Sequence, residues 1–199
     1  MVIRNFIVLE GLDGAGTTTQ VNLLSQRCGA EKRPFFLTRE PTDHAAGLLI
    51  RKILRKEAFA LPQTMAYLFA ADRNEHVYGP DGILAMAEKG SLVISDRYLF
   101  SSLAYQSVDC GWDRVFSLNK DFPLPEHLVF LDIEPHEGEK RLQNRSHREI
   151  YEEESFQAKV AGGYKRVLTE YAKSGMKIIV IDATCPQAEI HEKIWRLVQ

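Results

Sequence analysis

Residues 2–19, with the sequence VIRNFIVLEGLDGAGTTT, lead from a largely apolar stretch into a glycine-rich turn. The first part, Val2 to Leu9, is rich in β-branched and aromatic residues, which favours a strand covered on both faces. After the turn, Val21, Leu24 and Cys28 recur at helical spacing. A strand, a glycine-rich turn and a helix in this order bring backbone N–H groups and a helix N-terminus around a phosphate group. The stretch therefore predicts a phosphate-binding loop after the first strand.

The turn matches the Walker A pattern in every position but one. Gly11 and Gly16 have the required four residues between them, and Thr18 supplies the hydroxyl that is the Mg²⁺ ligand in that pattern. Where the pattern has lysine, this chain has Thr17. We expect ATP to bind along the whole loop, which comprises Gly11, Leu12, Asp13, Gly14, Ala15, Gly16, Thr17, Thr18 and Thr19.

The uncharged Thr17 changes the chemistry of this loop. The lysine of the pattern places a positive charge between the β- and γ-phosphates, whereas a threonine offers a neutral hydrogen bond. Either another cation takes over the role of the lysine or the nucleotide site is weak. A tight strand-to-helix turn that binds no ligand is the alternative that these residues alone leave open.

Four further β-branched or aromatic runs follow along the chain, separated by segments with helical spacing: Phe35–Thr38, Ser91–Ser95, Leu128–Ile133 and Lys177–Ile181. Continuous apolar strands need helices on both faces, and strands that alternate with helices form a parallel sheet. The sequence therefore predicts an α/β domain of the P-loop NTPase type, with a five-stranded parallel sheet flanked by helices.

The length of 199 residues predicts a single domain, 1–199. Residues 139–155 are dense in charge and almost free of apolar side chains. This composition predicts a solvated, mobile segment.

Composition and charge exclude several classes of protein. The net charge of −2 provides no basic field for nucleic acid or for an anionic membrane. The three cysteines have no disulfide or metal-ligand spacing, which suits a reducing compartment. No run approaches the ~18 apolar residues that span a bilayer. We expect a cytoplasmic protein that binds neither nucleic acid nor membranes.

Two pairs of residues lie four positions apart in helical segments. Phe69 and Arg73 share one helix face, where a flat ring and a cation can meet the base and the phosphate of one nucleotide. Ser102 and Gln106 have the same relation and offer a hydroxyl and an amide to the polar edge of a pyrimidine. The alternatives are a core position for Phe69 and a surface ion pair for Arg73. For Ser102 and Gln106 the alternative is an ordinary helix face.

Several motifs occur in order along the chain: FIVLEGLDGAG at 6–16, TREP at 38–41, LFAADR at 68–73 with His76, DRY at 96–98 and SSLAYQ at 101–106. With this set of motifs the chain resembles the thymidylate kinase family over almost its whole length. The resemblance implies transfer of the γ-phosphoryl group of ATP to dTMP, giving dTDP, with Mg²⁺ required. It also implies a homodimer, since members of that family commonly form one.

The resemblance also implies a residue-by-residue acceptor site for dTMP. Phe69 stacks on thymine, and Ser102 and Gln106 hydrogen-bond to its edge. Pro41 lines the space for the thymine methyl group, and Tyr105 lies against the sugar, where it disfavours a ribose 2′-hydroxyl.

Around the acceptor phosphate the resemblance implies three arginines, Arg51, Arg73 and Arg97, with Asp13 near the 3′-hydroxyl. Glu40 and Asp96 are implied to lie near the transfer path, where each can position Mg²⁺ or its waters. For a single carboxylate of this kind, a structural hydrogen-bonding role is the alternative.

The chain departs from the family pattern in the phosphate loop, in the lid and in the acceptor loop. The resemblance implies a short lid at about 140–155. Ala15 occupies a position where some members have an arginine, so this lid must supply the charge through Arg145 and Arg148. The commoner lid pattern has an arginine at Ile150. Residues 42–44, Thr-Asp-His, replace the usual glycine pair in the acceptor loop. Three other functions stay open: a kinase for another nucleoside monophosphate, a nucleotide-binding protein whose catalysis is impaired by the loss of the lysine, and an interaction module that keeps the fold only for packing.

Overall fold

The computed structural model describes residues 1–142 and 154–199. Its five strands are β1 (Val2–Gly11), β2 (Phe35–Arg39), β3 (Leu92–Asp96), β4 (Leu124–Asp132) and β5 (Lys177–Asp182). They form one sheet in the order β2-β3-β1-β4-β5, and every neighbouring pair is parallel. The predicted five-stranded parallel sheet is therefore confirmed, with β1 at its centre.

Helices flank this sheet and follow each strand. They are α1 (Thr17–Ala30), α2 (Ala45–Leu54), α3 (Pro62–Tyr78), α4 (Ile83–Glu88), α5 (Leu99–Tyr105), α6 (Ser107–Cys110), α7 (Trp112–Asn119), α8 (Pro135–Leu142), α9 (Glu154–Glu170) and α10 (Gln187–Val198). A single core of aliphatic and aromatic side chains from the strands and the helices fills the space between them. The α/β class predicted from the alternation of strands and helices is confirmed.

Strand β4 begins four residues earlier than the sequence predicts. Leu124 and Pro125 pair with Val2 and Ile3 of β1, and the register then shifts between Ile3 and Ile7. A proline inside a central strand is unfavourable because it has no N–H to donate, and an irregularity beside it removes that demand. Because of this proline, the sequence did not predict the first part of the strand.

The edge strand β2 is more exposed than its apolar sequence suggests. Its residues alternate between exposed and half-buried, and the side chains of Phe35 and Leu37 reach solvent. The central strand β1 is buried almost throughout its second half. Full cover on both faces is therefore a property of the central strands of this sheet.

The carboxyl ends of the parallel strands meet at one edge of the sheet. The glycine-rich loop follows β1 there, Glu40 follows β2, and Arg97 follows β3, with Arg39 of β2 in register with Asp96 of β3. Ligands of open α/β sheets bind at this edge.

Of the predicted lid at about 140–155, residues 140–142 end α8 and residues 154–155 begin α9. Arg145 and Arg148 lie outside the described residues. Among the described helices none is long and apolar enough to cross a membrane.

Candidate active site

The glycine-rich loop encloses a cavity of about 520 Å³ at the start of α1. Gly14 and Gly16 have positive φ angles of 86° and 95°, which glycine adopts without strain. Helix α1 begins at Thr17, whose side chain is buried. The predicted ATP-binding residues from Leu12 to Thr19 all line this cavity, and Gly11 ends the strand below it.

Two arginines from outside the loop line the same cavity. Arg97 follows β3, and Arg141 lies in the last turn of α8, which ends at Leu142. The guanidinium group of Arg141 donates to the carbonyl of Ala183 at 2.9 Å and to that of Gly14 at 3.4 Å. Arg141 was not selected from the sequence. Its position at the edge of the charged lid segment was the available signal.

Thr18 and Asp96 meet at the mouth of the loop. The hydroxyl of Thr18 donates to Oδ2 of Asp96 at 2.5 Å. Oδ1 of Asp96 is buried and has no hydrogen-bond partner among the described residues. The described part of the chain contains no cluster of three or more acidic, histidine or cysteine side chains around one point. Mg²⁺ in kinases is held by one or two protein oxygens together with phosphates, so this pair has the donor set that Mg²⁺ needs.

A second cavity, of about 180 Å³, adjoins the first and brings together most of the predicted acceptor residues. Those lining it are Asp13, Glu40, Pro41, Phe69, Arg73, Asp96, Arg97, Ser102, Tyr105 and Gln106. Asp13 and Arg97 line both cavities. This second cavity is called the acceptor cavity below.

Arg51 does not line the acceptor cavity, although the resemblance implies it at the acceptor phosphate. Its guanidinium group donates to Asp43 at 2.9 Å and to the carbonyl of Pro41. Arg39, which the sequence did not single out, lines the cavity and also pairs with Asp43. The aspartate of the unusual acceptor loop thus holds two arginines, which explains why Arg51 is turned away from the cavity in this structure.

The acceptor loop is anchored through Thr42. The backbone N–H and the hydroxyl of Thr42 both donate to the carboxylate of Asp72, which is buried in α3. A Cβ atom on Gly47 would collide with the backbone of Thr42. These contacts give the loop a fixed geometry without the usual glycine pair.

Arg73 is completely buried in the floor of the acceptor cavity. Its guanidinium group donates to Glu40 at 2.6 Å, to Ser102 at 2.9 Å and to Asn119. It also lies over the rings of Tyr98 and Phe122. Arg73 is therefore held beside Ser102, a residue predicted to contact the base.

Both carboxylate oxygens of Glu40 are occupied. Oε2 accepts from Arg73 at 2.6 Å, and Oε1 accepts from Nδ1 of His76 at 3.0 Å. Burial acts to raise the pKa of Glu40, but the charge of Arg73 and the hydrogen bond from His76 outweigh it and lower the pKa. Each oxygen keeps a second lone pair, so the expectation that Glu40 positions Mg²⁺ or its waters stays a prediction.

Arg97 is held at the junction of the two cavities. It has a positive φ of 71° and donates to Asp13 at 2.6 Å, to Ser101 at 3.0 Å and to the carbonyl of Gly11 at 3.2 Å. Glu10 is fully buried beneath this loop and accepts from Tyr98, Ser101 and Tyr164. Burial raises the pKa of Glu10, while Arg97 acts in the opposite direction.

Helix α9 closes the junction from the far side. The side chain of Gln157 donates to Asp13 at 2.8 Å, and the hydroxyl of Tyr164 lies 3.3 Å from the guanidinium group of Arg97. Neither residue was selected from the sequence, because each comes from a helix about 60 or more positions away from its partner in the chain. The junction of the two cavities is therefore built from the phosphate loop, from the residue that follows β3 and from α9.

The comparisons with known proteins agree with this geometry. The family model described as thymidylate kinase matches residues 9–194. The chain belongs to the thymidylate kinase family. A protein of Treponema pallidum (strain Nichols) is 39% identical over 196 residues, covering 97% of this chain and 94% of its own length. Two proteins named probable thymidylate kinase, from Methanococcus maripaludis (strain C6) and Pyrococcus abyssi (strain GE5), are 37% and 36% identical and cover 92% and 98% of this chain.

These two relatives are covered over 88% and 95% of their own length. The similarity therefore extends over most of the length of each of these relatives. Against this background Thr17 stands at the lysine position of the Walker A pattern.

Proposed function

We propose that this protein transfers the γ-phosphoryl group of ATP to dTMP, giving dTDP, and that residues 1–199 act as one domain. The observation that carries this proposal is the pair of adjoining cavities, which share Asp13 and Arg97. Phosphoryl transfer needs a donor phosphate and an acceptor phosphate in line, with positive charge between them. Arg97 supplies that charge at the junction.

The polar groups of the acceptor cavity support thymine as the base. Arg73 carries N–H donors alone, and Oε1 of Gln106 is a buried acceptor without a partner among the described residues. Thymine presents O4 as an acceptor and N3–H as a donor, whereas cytosine presents an amino group at the same edge. Arg73 was expected at the acceptor phosphate, but its contact with Ser102 supports a different proposal, in which Arg73 reads the base edge with Ser102 and Gln106. Phe69 stacks on its face.

The remaining acceptor residues fit the sugar and the methyl group. Tyr105 is buried in the wall of the cavity, with the guanidinium group of Arg97 at 5.2 Å from its ring centre. It lies against the sugar and leaves no room for a 2′-hydroxyl, while Asp13 accepts from the 3′-hydroxyl. Pro41 lines the space for the thymine methyl group.

Mg²⁺ would be held by Thr18 and Asp96, where it neutralises charge on the transferred phosphate. Arg97 acts with the lid residues Arg145 and Arg148 to replace the charge that Thr17 lacks. Arg141 adds a further cation beside the loop. Arg51 joins the acceptor phosphate if the phosphate displaces Asp43 from it. Glu40 acts in substrate binding by fixing Arg73.

We further propose a cytoplasmic homodimer. Exposed apolar side chains on α2, on α3 and just before α3 support the dimer. Leu48 and Leu49 of α2 are 49% and 42% exposed, Leu61 before α3 is 58% exposed, and Tyr67 of α3 is 56% exposed. Exposed apolar groups of this kind typically mark an interface.

A turnover assay with ATP, Mg²⁺ and a panel of monophosphates tests the proposed reaction. We expect dTMP to be phosphorylated with a higher kcat/KM than dCMP, dGMP, dAMP or the corresponding ribonucleotides. The control is the same assay with Mg²⁺ removed by a chelator, in which turnover should be lost. A higher kcat/KM for any other monophosphate would show that the cavity is built for a different base.

Replacing Phe69 by alanine should weaken dTMP binding. Loss of stacking on an aromatic side chain costs about 1–3 kcal/mol, so Kd should rise by about one to two decades. Isothermal titration calorimetry measures the change. Phe59→Ala is the matched control, because the side chain of Phe59 is 87% exposed and lies outside the cavity. Equal Kd values for the parent and for Phe69→Ala would show that the base does not bind in this pocket.

A further inference from the structure

Five polar side chains form a continuous series of contacts from the edge strand β2 to helix α5. Oγ1 of Thr38 lies 2.6 Å from Nε2 of His76, and Nδ1 of His76 lies 3.0 Å from Oε1 of Glu40. Oε2 of Glu40 accepts from Arg73, which also donates to Ser102. His76 is 3% exposed and has no part in the reaction as proposed above.

The two oxygens of Glu40 are divided between different donors. Arginine and carboxylate side chains frequently form two parallel hydrogen bonds, one to each oxygen. Here Nδ1 of His76 donates to Oε1, and Arg73 reaches Glu40 through a single nitrogen and Oε2. That same nitrogen of Arg73 lies 2.9 Å from Oγ of Ser102 in the acceptor cavity.

We propose that His76 is a positioning residue that sets base selectivity by keeping Arg73 from pairing with both oxygens of Glu40. The inference rests on the proposed function, because the selectivity concerns the base of the acceptor nucleotide. With Oε1 released, the guanidinium group turns to take both oxygens and leaves Ser102. The cavity then loses the donor that matches O4 of thymine and rejects the amino group of cytosine.

Burial stabilises the arrangement in which His76 and Arg73 each donate to one oxygen of Glu40. Arg73 is 0% exposed and Glu40 is 5% exposed, so water does not compete for either group. A buried carboxylate oxygen without a donor is costly, which drives Glu40 to recruit Arg73 when His76 is absent. Asn119 holds the other terminal nitrogen of Arg73 and defines the orientation from which it would turn.

Three variants at position 76 separate the two contacts of the imidazole ring. His76→Leu removes both contacts. His76→Asn retains a donor near the place of Nδ1 and so retains the contact with Glu40. His76→Gln retains a polar group near the place of Nε2 and so retains the contact with Thr38 alone.

The measured quantity is the ratio of Kd for dCMP to Kd for dTMP, obtained by calorimetry at one salt concentration. We expect His76→Leu and His76→Gln to lower this ratio by about tenfold, and His76→Asn to stay within about twofold of the parent. Turnover of dTMP by the parent tests the proposed function separately, since binding is measured without any reaction.

His127→Leu is the matched control, because His127 is also buried, at 7% exposure, but lies on β4 and does not line the acceptor cavity. Its ratio should equal that of the parent. If His76→Leu does not fold in a thermal unfolding assay, the comparison of His76→Asn with His76→Gln decides. An unchanged ratio in His76→Gln, or an equal loss in the Asn and Gln variants, would overturn the proposal.

Discussion

Replacement of Arg97 by alanine is expected to lower kcat for dTMP phosphorylation by about 10³-fold or more, which is the lower range for a transition-state arginine in phosphoryl transfer. Arg97 is the arginine that lines both cavities among the described residues. Its charge is therefore available to the transferred group throughout the reaction. Steady-state kinetics at saturating ATP and dTMP measure the effect.

Two companion variants sharpen this prediction. Arg4→Ala removes an exposed arginine near the amino end of β1, at the opposite end of the strand from the phosphate loop, and should leave kcat unchanged. Arg97→Lys keeps a charge but loses the planar group that contacts Asp13, Ser101 and Gly11 at once, so it should recover only part of the activity. A kcat for Arg97→Ala within tenfold of the parent would show that another group supplies the positive charge at the transferred phosphoryl group.

Removal of charge at Arg145 or Arg148 is expected to lower kcat by about 10²-fold or more. Neither Thr17 nor Ala15 brings a charge to the phosphate loop. The proposed lid contains both arginines in its sequence, which continues from α8, where Arg141 already reaches the carbonyl of Gly14. Kinetics of Arg145→Ala and Arg148→Ala at saturating substrates measure the loss.

The control for the lid variants is Arg114→Ala, which removes an exposed arginine in α7 without touching either cavity. It should retain the parent kcat. If all three variants matched the parent, the charge for transfer would have to come from Arg97, Arg141 and Mg²⁺ without the lid.

The sequence predicted the parts of this site that are determined locally. The phosphate loop follows from glycine spacing after an apolar strand, and the structure gives Gly14 and Gly16 the positive φ angles that such a turn needs. Phe69 and Arg73 line one cavity because residues four apart share a helix face. The start of β4 was missed because Pro125 does not suit a central strand.

Contacts between distant segments could not be predicted in the same way. Nothing local to residue 40 indicates that His76 and Arg73 each take one oxygen of its carboxylate. The resemblance implies Arg51 at the acceptor phosphate, but Asp43 pairs with it through the geometry of a loop anchored by Asp72. Such pairings depend on how helices and loops pack, and spacing along the chain does not contain that information.

The central claim is that this chain is an active kinase although Thr17 replaces the Walker A lysine. The most direct measurement compares the steady-state kcat of the parent with that of Thr17→Lys, using ATP, dTMP and Mg²⁺. The account predicts an active parent and little gain from the lysine, because arginines already supply the charge and an added ammonium group would compete for the same phosphate oxygens. A parent that turns over poorly, with activity restored by orders of magnitude in Thr17→Lys, would contradict it.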